Sequence, residues 1–327
     1  MSKTPKSIDE LMLYLRTHHK ITIDEKLHTR KLRNIGYYHG FKGYRYNRTP
    51  HNKIAYTDFN EILAINEFDM ALKSMFYPQL MFIETALKNY ALELVLEVGQ
   101  TSNLNDIFNN LLCEYTKHPT HSIAYRHAMQ RKLDLRAKLF GTLTYAYRNH
   151  KKVVTHFYQK NDNVPVWALF EIINLGEFGS FVQCLEQSLK TKLSKTLLLN
   201  QTCDTDAKLT QTIVFIIKDL RNAVAHNEII FDTRFRSAAI GHNVISCLEI
   251  DTFVKPVNFK NIIDYLVLIV YLLKNLEVSV DEILKTISLF EEAAETLRRK
   301  IPINMYMDIL PTDTRNKLSE LKIFVKK

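Results

Sequence analysis

Glycine and proline are scarce: a chain of 327 residues holds eight of each. With 46% hydrophobic residues, that scarcity argues against disorder and against an all-β fold, whose many tight turns consume both residue types. Cysteine is sparse too. Cys113, Cys184, Cys203 and Cys247 are scattered, with no C-x-x-C pair and no ligand-like clustering with histidine. Free thiols in a reducing cytosol are therefore expected, and neither a metal nor a cofactor is called for. No apolar run is long enough to cross a bilayer. The longest, "YLVLIVYLL" at 265–273, covers about half of the roughly 20 residues a spanning helix needs. The segment "MSKTPKSIDE" lacks the apolar stretch of a secretory signal, so a cytoplasmic protein with no membrane partner is expected. Internal repeats and low-complexity tracts are absent as well.

What is abundant is positive charge, and it is unevenly placed. The net +9 splits along the chain. Residues 1–55 hold 12 Lys and Arg against 4 Asp and Glu, and residues 113–160 hold 10 against 2. Between them, residues 56–112 hold 2 against 8, and the remainder balances at 20 against 21. Two basic segments separated by an acidic one read either as solvated faces or as a phosphate-binding surface, where released counterions supply sequence-independent affinity.

The periodicity is helical almost throughout. Residues 7–18 place apolar side chains at 8, 11, 12 and 15 behind a Ser7/Glu10 capping box. Asp24 caps a second helix that ends near Gly36, and "YYHGFKGYRYNRTPHNK" reads as a turn or small hairpin. From residue 57 one long apolar stripe runs to 94, interrupted or kinked near Pro78. A basic helix lies within 122–158. The stretch at 164–185 starts with Pro165 and is expected to break at Gly176 and Gly179. Further helices fall at about 207–226, 259–275 and 279–300. The expectation is an all-α, multi-helix bundle in two parts. Residues 1–55 form a small basic N-terminal lobe, helix-turn-helix-like with a short hairpin. Residues 56–327 form the helical domain, with a basic helical insertion at about 113–160.

The helix "TIVFIIKDLRNAVAHNE" ends in Arg221, Asn222 and His226. Residues five apart on a helix differ by roughly 140° and about 7.5 Å of rise, so Arg221 and His226 are not stacked neighbours. The pairing nevertheless suits RNA cleavage, in which the ribose 2′-hydroxyl is the internal nucleophile. Such an enzyme needs a proton-transferring imidazole and fixed positive charge where the phosphorane forms. His226 fits the first role and the planar guanidinium of Arg221 the second, with Asn222 orienting either. The bare R-x(4–6)-H pattern is cheap: Arg33 to His39, Arg45 to His51 and Arg236 to His242 match it too. The bland alternative pairs Arg221 with Asp219 or Glu228 and leaves His226 as a helix cap. That alternative stays open on spacing alone.

Four blocks together resemble a known family. "RNAVAHNEIIF" at 221–231 resembles the R-N-x-x-A-H-N motif of the HEPN superfamily, in the form carried by Abi-like (AbiF/AbiD-type) abortive-infection proteins. "LRNIGYYHGFKGYRY" at 32–46 is similar to that family's tyrosine/glycine block. "INEFDMALKSMFYPQLMFIETALKN" at 65–89 resembles its F-D-x-x-L…I-E-x-A-L-K helix, and "VPVWALFEIINLGEFGSF" at 164–181 its P-x-W-x-x-x-E-x-x-x-x-G block. The resemblance implies a HEPN-type helical bundle and a homodimer with a composite active site. It implies metal-independent endoribonuclease chemistry with Arg221 and His226 catalytic and Asn222 auxiliary. It further implies a bacterial phage-defence or toxin–antitoxin role, held in check by a cognate structured non-coding RNA. Glu84 and Glu171 match acidic positions of the family blocks, with a catalytic or an architectural role left open.

RNA contacts are expected at Arg33, Lys42, Arg45 and Arg48, where charge is interleaved with the rings of Tyr37 and Tyr38. They are also expected at Arg131, Lys132 and Arg136 on the basic helix. The tyrosines read alternatively as wedges that pack the small lobe onto the bundle. The non-catalytic alternative for the whole protein is an RNA-binding scaffold whose Arg–His pocket only holds phosphate.

Overall fold

The computed structural model describes residues 6–327. It is all-α, as expected. The helices run in order α1 (Ile8–His19), α2 (Glu25–Ile35), α3 (Phe59–Gly99), α4 (Leu104–Asn110) and α5 (Ile123–Arg148). They continue with α6 (Lys152–Gln159), α7 (Val166–Phe170), α8 (Leu175–Cys184), α9 (Gln187–Thr196) and α10 (Leu209–Ala225). The last five are α11 (His242–Thr252), α12 (Ile262–Asn275), α13 (Val280–Lys300), α14 (Ile303–Ile309) and α15 (Thr314–Lys326). Among the described residues there is no β-strand, only isolated bridges such as Tyr46–Lys53.

Local chemistry sets the boundaries. Ser7 and Glu10 form the capping box at the start of α1, and the Asp24 carboxylate accepts the Leu27 N–H at the start of α2. The aromatic segment after α2 differs from expectation. Gly36–Lys42 is a π-helical turn, and the hairpin-like pairing comes later, with the Ile54 N–H donating to the Arg45 carbonyl. Burial explains the difference: Phe41 and Tyr44 lie inward, which a wound backbone allows and a two-sided hairpin does not.

Two other expectations are corrected. The long stripe at 59–99 is one helix of 41 residues that continues through Pro78. Pro78 sits on the solvent side while Met75, Phe76, Leu80 and Ile83 are buried on the other, so packing on both sides of the proline carries the helix past the missing N–H. The break in the 164–185 segment falls at 171–174, ahead of both glycines. Asn174 caps α8 there, accepting from Gly176 and Glu177, while Glu177 reaches back to the Asn174 N–H. Gly176 and Gly179 lie inside α8. Gly179 permits close packing on α10, because a Cβ at that position would meet the Phe215 ring at 2.8 Å.

The bundle is built around α12, whose residues Ile262–Leu273 are all buried. The sequence "YLVLIVYLL" is therefore a core helix packed between α3, α11, α13 and α15. No described helix is long and apolar enough to cross a membrane. A second layer places α10 against α3 and α8. Leu15, Leu32 and Phe41 of the N-terminal segment join the same buried cluster as α3, so that segment is fastened directly to the bundle.

Candidate functional site

The C-terminal end of α10 is closed by a Schellman turn. His226 is the C-cap (φ −93°, ψ 10°), and Asn227 follows in the left-handed conformation at φ 56°. The Glu228 N–H donates to the Ala223 carbonyl at 2.8 Å and the Asn227 N–H to the Val224 carbonyl at 3.2 Å. Asparagine is among the few residues with a side chain that tolerate this conformation, which explains why the turn can follow the histidine without a glycine. His226 is exposed at the tip and makes no side-chain hydrogen bond among the described residues.

Arg221 lies one and a half turns back and is 20% exposed at its side chain. Its Nε donates to Glu84 Oε2 at 2.9 Å and its Nη2 to Glu84 Oε1 at 3.1 Å, a bidentate pair between α10 and α3. Its Nη1 donates to Asn222 Oδ1 at 2.9 Å. Three of the five N–H donors of a guanidinium are thereby used, and two remain. The bland pairing of Arg221 with Asp219 or Glu228 does not occur. Asp219 is taken by Lys218 and Arg236 instead.

Glu84 is shared. Lys88 Nζ donates to its Oε1 at 2.9 Å and also to the Ile173 carbonyl at 2.6 Å, in the break between α7 and α8. Burial pushes the Glu84 carboxyl up, but hydrogen bonds and charge from Arg221 and Lys88 outweigh it and hold the group below its ordinary value of 4.5. Arg221, Glu84, Lys88, Glu171 and Ala225 line an open cleft of about 400 Å³, together with Tyr77, Met81 and Phe170. His226 is not among its lining residues. A larger groove of about 710 Å³ lies between α3 and α13, lined largely by apolar side chains such as Phe82 and Leu289, and contains neither Arg221 nor His226.

The four sequence blocks thus meet at one end of α10. The α3 block supplies Glu84 and Lys88, the 164–181 block supplies Glu171 and the Ile173 carbonyl, and the 221–231 block supplies Arg221, Asn222 and His226. The tyrosine/glycine block arrives from behind. Tyr44 hydroxyl donates to Asp69 Oδ2 at 3.0 Å, and the same buried carboxylate binds Lys73 at 2.7 Å. Asp69 and Lys73 did not stand out in the sequence as site residues. The signal available was an acid followed by lysine four positions later, repeated at 69/73 and 84/88 on a helix whose apolar stripe should exclude both. His39 stands nearby with its buried Nε2 unpartnered among the described residues. Burial and the Lys73 charge lower its pKa against the pull of Asp69.

The candidate RNA contacts fall into exposed and occupied groups. Lys42 is exposed with its ammonium 4.5 Å from the Tyr38 ring centre, and Tyr38 is 75% exposed. Tyr37 is half-buried against Tyr38 and Phe41. Arg33 and Arg48 are exposed, while Arg45 rests partly buried over the Tyr46 ring. On α5, Arg136 is exposed over Phe108, and Arg131 pairs with Glu114 at 3.1 Å. Lys132 is buried, its ammonium over the Phe108 and Tyr115 rings, which takes it out of the surface available to a nucleic acid.

Among the described residues, no three His, Cys, Asp or Glu side chains cluster as metal ligands. No curated protein and no solved structure matches the chain significantly. One family model matches it over residues 30–232, that of the Abi-like proteins.

Proposed function

The chain belongs to the Abi-like protein family, which supports an abortive-infection role, and from that premise we propose that it is a metal-independent endoribonuclease of the HEPN type. The observation that carries the reading is Arg221, clamped by Glu84 at the edge of a cleft and still holding two free donors, on the same helix end as an exposed imidazole. A guanidinium fixed on one edge and open on another is suited to gripping a phosphodiester, because its orientation costs nothing at the moment charge develops.

In the proposed reaction the 2′-oxygen attacks the adjacent phosphorus as the bond to the 5′-oxygen breaks. His226 takes the 2′-hydroxyl proton or supplies the one that the leaving 5′-oxygen needs. Arg221 neutralises the non-bridging oxygens. The products are a 2′,3′-cyclic phosphate and a 5′-hydroxyl, and neither a metal nor an enzyme nucleophile takes part.

Within one protomer His226 stands outside the cleft that Arg221 lines. A homodimer resolves this: twofold pairing of the α10 ends would set His226 of the partner subunit across from Arg221. Control of this toxin-like activity by a cognate structured RNA is supported by the exposed cations Arg33, Lys42, Arg48 and Arg136, which lie apart from the cleft. The position of His226 also favours a second reading, a non-catalytic RNA-binding scaffold in which Arg221 only holds phosphate. RNA incubated with the protein in EDTA separates the two. Cyclic-phosphate ends that vanish in both Arg221→Ala and His226→Ala variants support the nuclease. Binding without cleavage supports the scaffold.

A further inference from the structure

The segment that follows His226 is irregular, yet buried charge holds it at several points. Asp69 is fully buried, and its Oδ1 accepts the backbone N–H groups of Ile230 and Phe231, each at 2.8 Å. Its Oδ2 takes the Tyr44 hydroxyl, and Lys73 completes the shell. Lys73 is itself only 5% exposed, and its ammonium donates to Asn227 Oδ1 at 2.8 Å. Asn227 is the left-handed residue directly after His226. Further along, Arg234 binds Asp232 and donates to the Gly43 and Tyr46 carbonyls at 2.8 and 2.6 Å.

A network of this kind is costly unless each member is satisfied, since an unpaired buried charge is heavily penalised. Core filling alone would be served by apolar residues of similar volume. The network does something an apolar patch does not: beside the backbone bonds of the turn, it ties the Asn227 side chain and the Ile230–Phe231 backbone to α3 on the C-terminal side of His226. The imidazole itself makes no side-chain hydrogen bond among the described residues, so its placement depends on the backbone that carries it.

We infer that Asp69 and Lys73 are positioning residues for His226, acting through the Lys73–Asn227 hydrogen bond and the Asp69 clamp on Ile230 and Phe231. This inference rests on the proposed nuclease reading for its kinetic consequence but not for its structural one. Asn227 carries the test, because its side chain can be changed without emptying the core. Asn227→Gly keeps the left-handed turn and removes the acceptor for Lys73. Asn227→Asp restores an acceptor in a residue that also tolerates that turn.

Two readouts are taken together on the full-length chain. Steady-state cleavage should show kcat reduced by about 100-fold in Asn227→Gly with KM within about twofold, because a loosened imidazole is misplaced in the transition state while substrate binding is untouched. Asn227→Asp should recover kcat to within about fivefold of wild type. Independently, nuclear spin relaxation of the His226 ring, measured well below the thermal midpoint of each protein, should report greater mobility in Asn227→Gly. If the wild-type chain cleaves nothing, the nuclease reading fails and the ring relaxation alone decides the positioning role. An Asn227→Gly ring as ordered as wild type overturns the inference, as does an unchanged kcat in an active protein.

Discussion

At the scale of single residues, the centre of the account is Arg221 in the grip of Glu84. Arg221→Lys keeps the charge but loses the two-pronged pairing and the second edge. It is expected to behave nearly as Arg221→Ala in a cleavage assay, with kcat down by about 100-fold or more. Glu84→Gln leaves the guanidinium with weaker acceptors and is expected to cost roughly 1–3 kcal/mol at neutral pH by denaturant unfolding. The pH dependence follows from the lowered carboxyl. Its stabilising share is complete above the ordinary value of 4.5 and is lost as pH falls through the lower folded value. Wild type should therefore lose stability more steeply than Glu84→Gln on acidification below about pH 5. Equal acid slopes would show that the pair contributes nothing. Arg221, Asn222 and His226 could be named as candidates from the chain because they close an apolar helix within a spaced motif. Asp69 and Lys73 were less legible: an acid and a lysine four apart look like a solvated surface pair, although both fall on the apolar stripe of α3 and Asp69 is the acid of the F-D-x-x-L block.

At the scale of elements, the helices were legible because their apolar stripes, caps and scarce glycines agree with one another. The exceptions have physical causes. Pro78 was expected to interrupt or kink α3; it does not interrupt it, because its ring faces solvent and the buried flanks hold the helix. The glycines at 176 and 179 were expected to end a helix, yet the Asn174/Glu177 capping box starts one before them. Gly179 serves the contact with Phe215, so Gly179→Ala should destabilise the α8–α10 packing by about 1–3 kcal/mol through overpacking. In α9, Lys190 is almost wholly buried and its amine is pushed down to about 8 by burial. A lysine lowered in this way opposes folding while the amine must stay charged, below about 8, and ceases to oppose it above its ordinary value of 10.5. Wild-type stability should thus carry a component that rises between those pH values. Lys190→Met should lose that component and gain on the order of 2 kcal/mol at pH 7, less what Glu114 forfeits. A less stable Lys190→Met protein would mean that the ammonium is well compensated.

At the scale of the whole molecule, the proposed RNA partner and the proposed homodimer each make a separate demand. If RNA lies over Lys42, Arg48 and Arg136, its affinity should fall steeply with salt, with a log–log slope of several units. A flat titration would remove the structured-RNA partner from the account. The basic segments could be read as binding surface or as solvated face, and the structure divides them residue by residue. Tyr38 and Lys42 are outside, whereas Lys132 is inside over two rings. The proposed composite site makes the most direct demand. An Arg221→Ala chain and a His226→Ala chain, each inactive alone, should regain cleavage when mixed, because mixed dimers contain one intact Arg221–His226 pair. The measurement is the yield of 2′,3′-cyclic phosphate ends from RNA in EDTA by the mixture against each variant alone. Recovery to a sizeable fraction of wild type is expected, and a mixture as inert as its components, where wild type cleaves and mixed dimers are shown to form, would rule out a site shared between subunits.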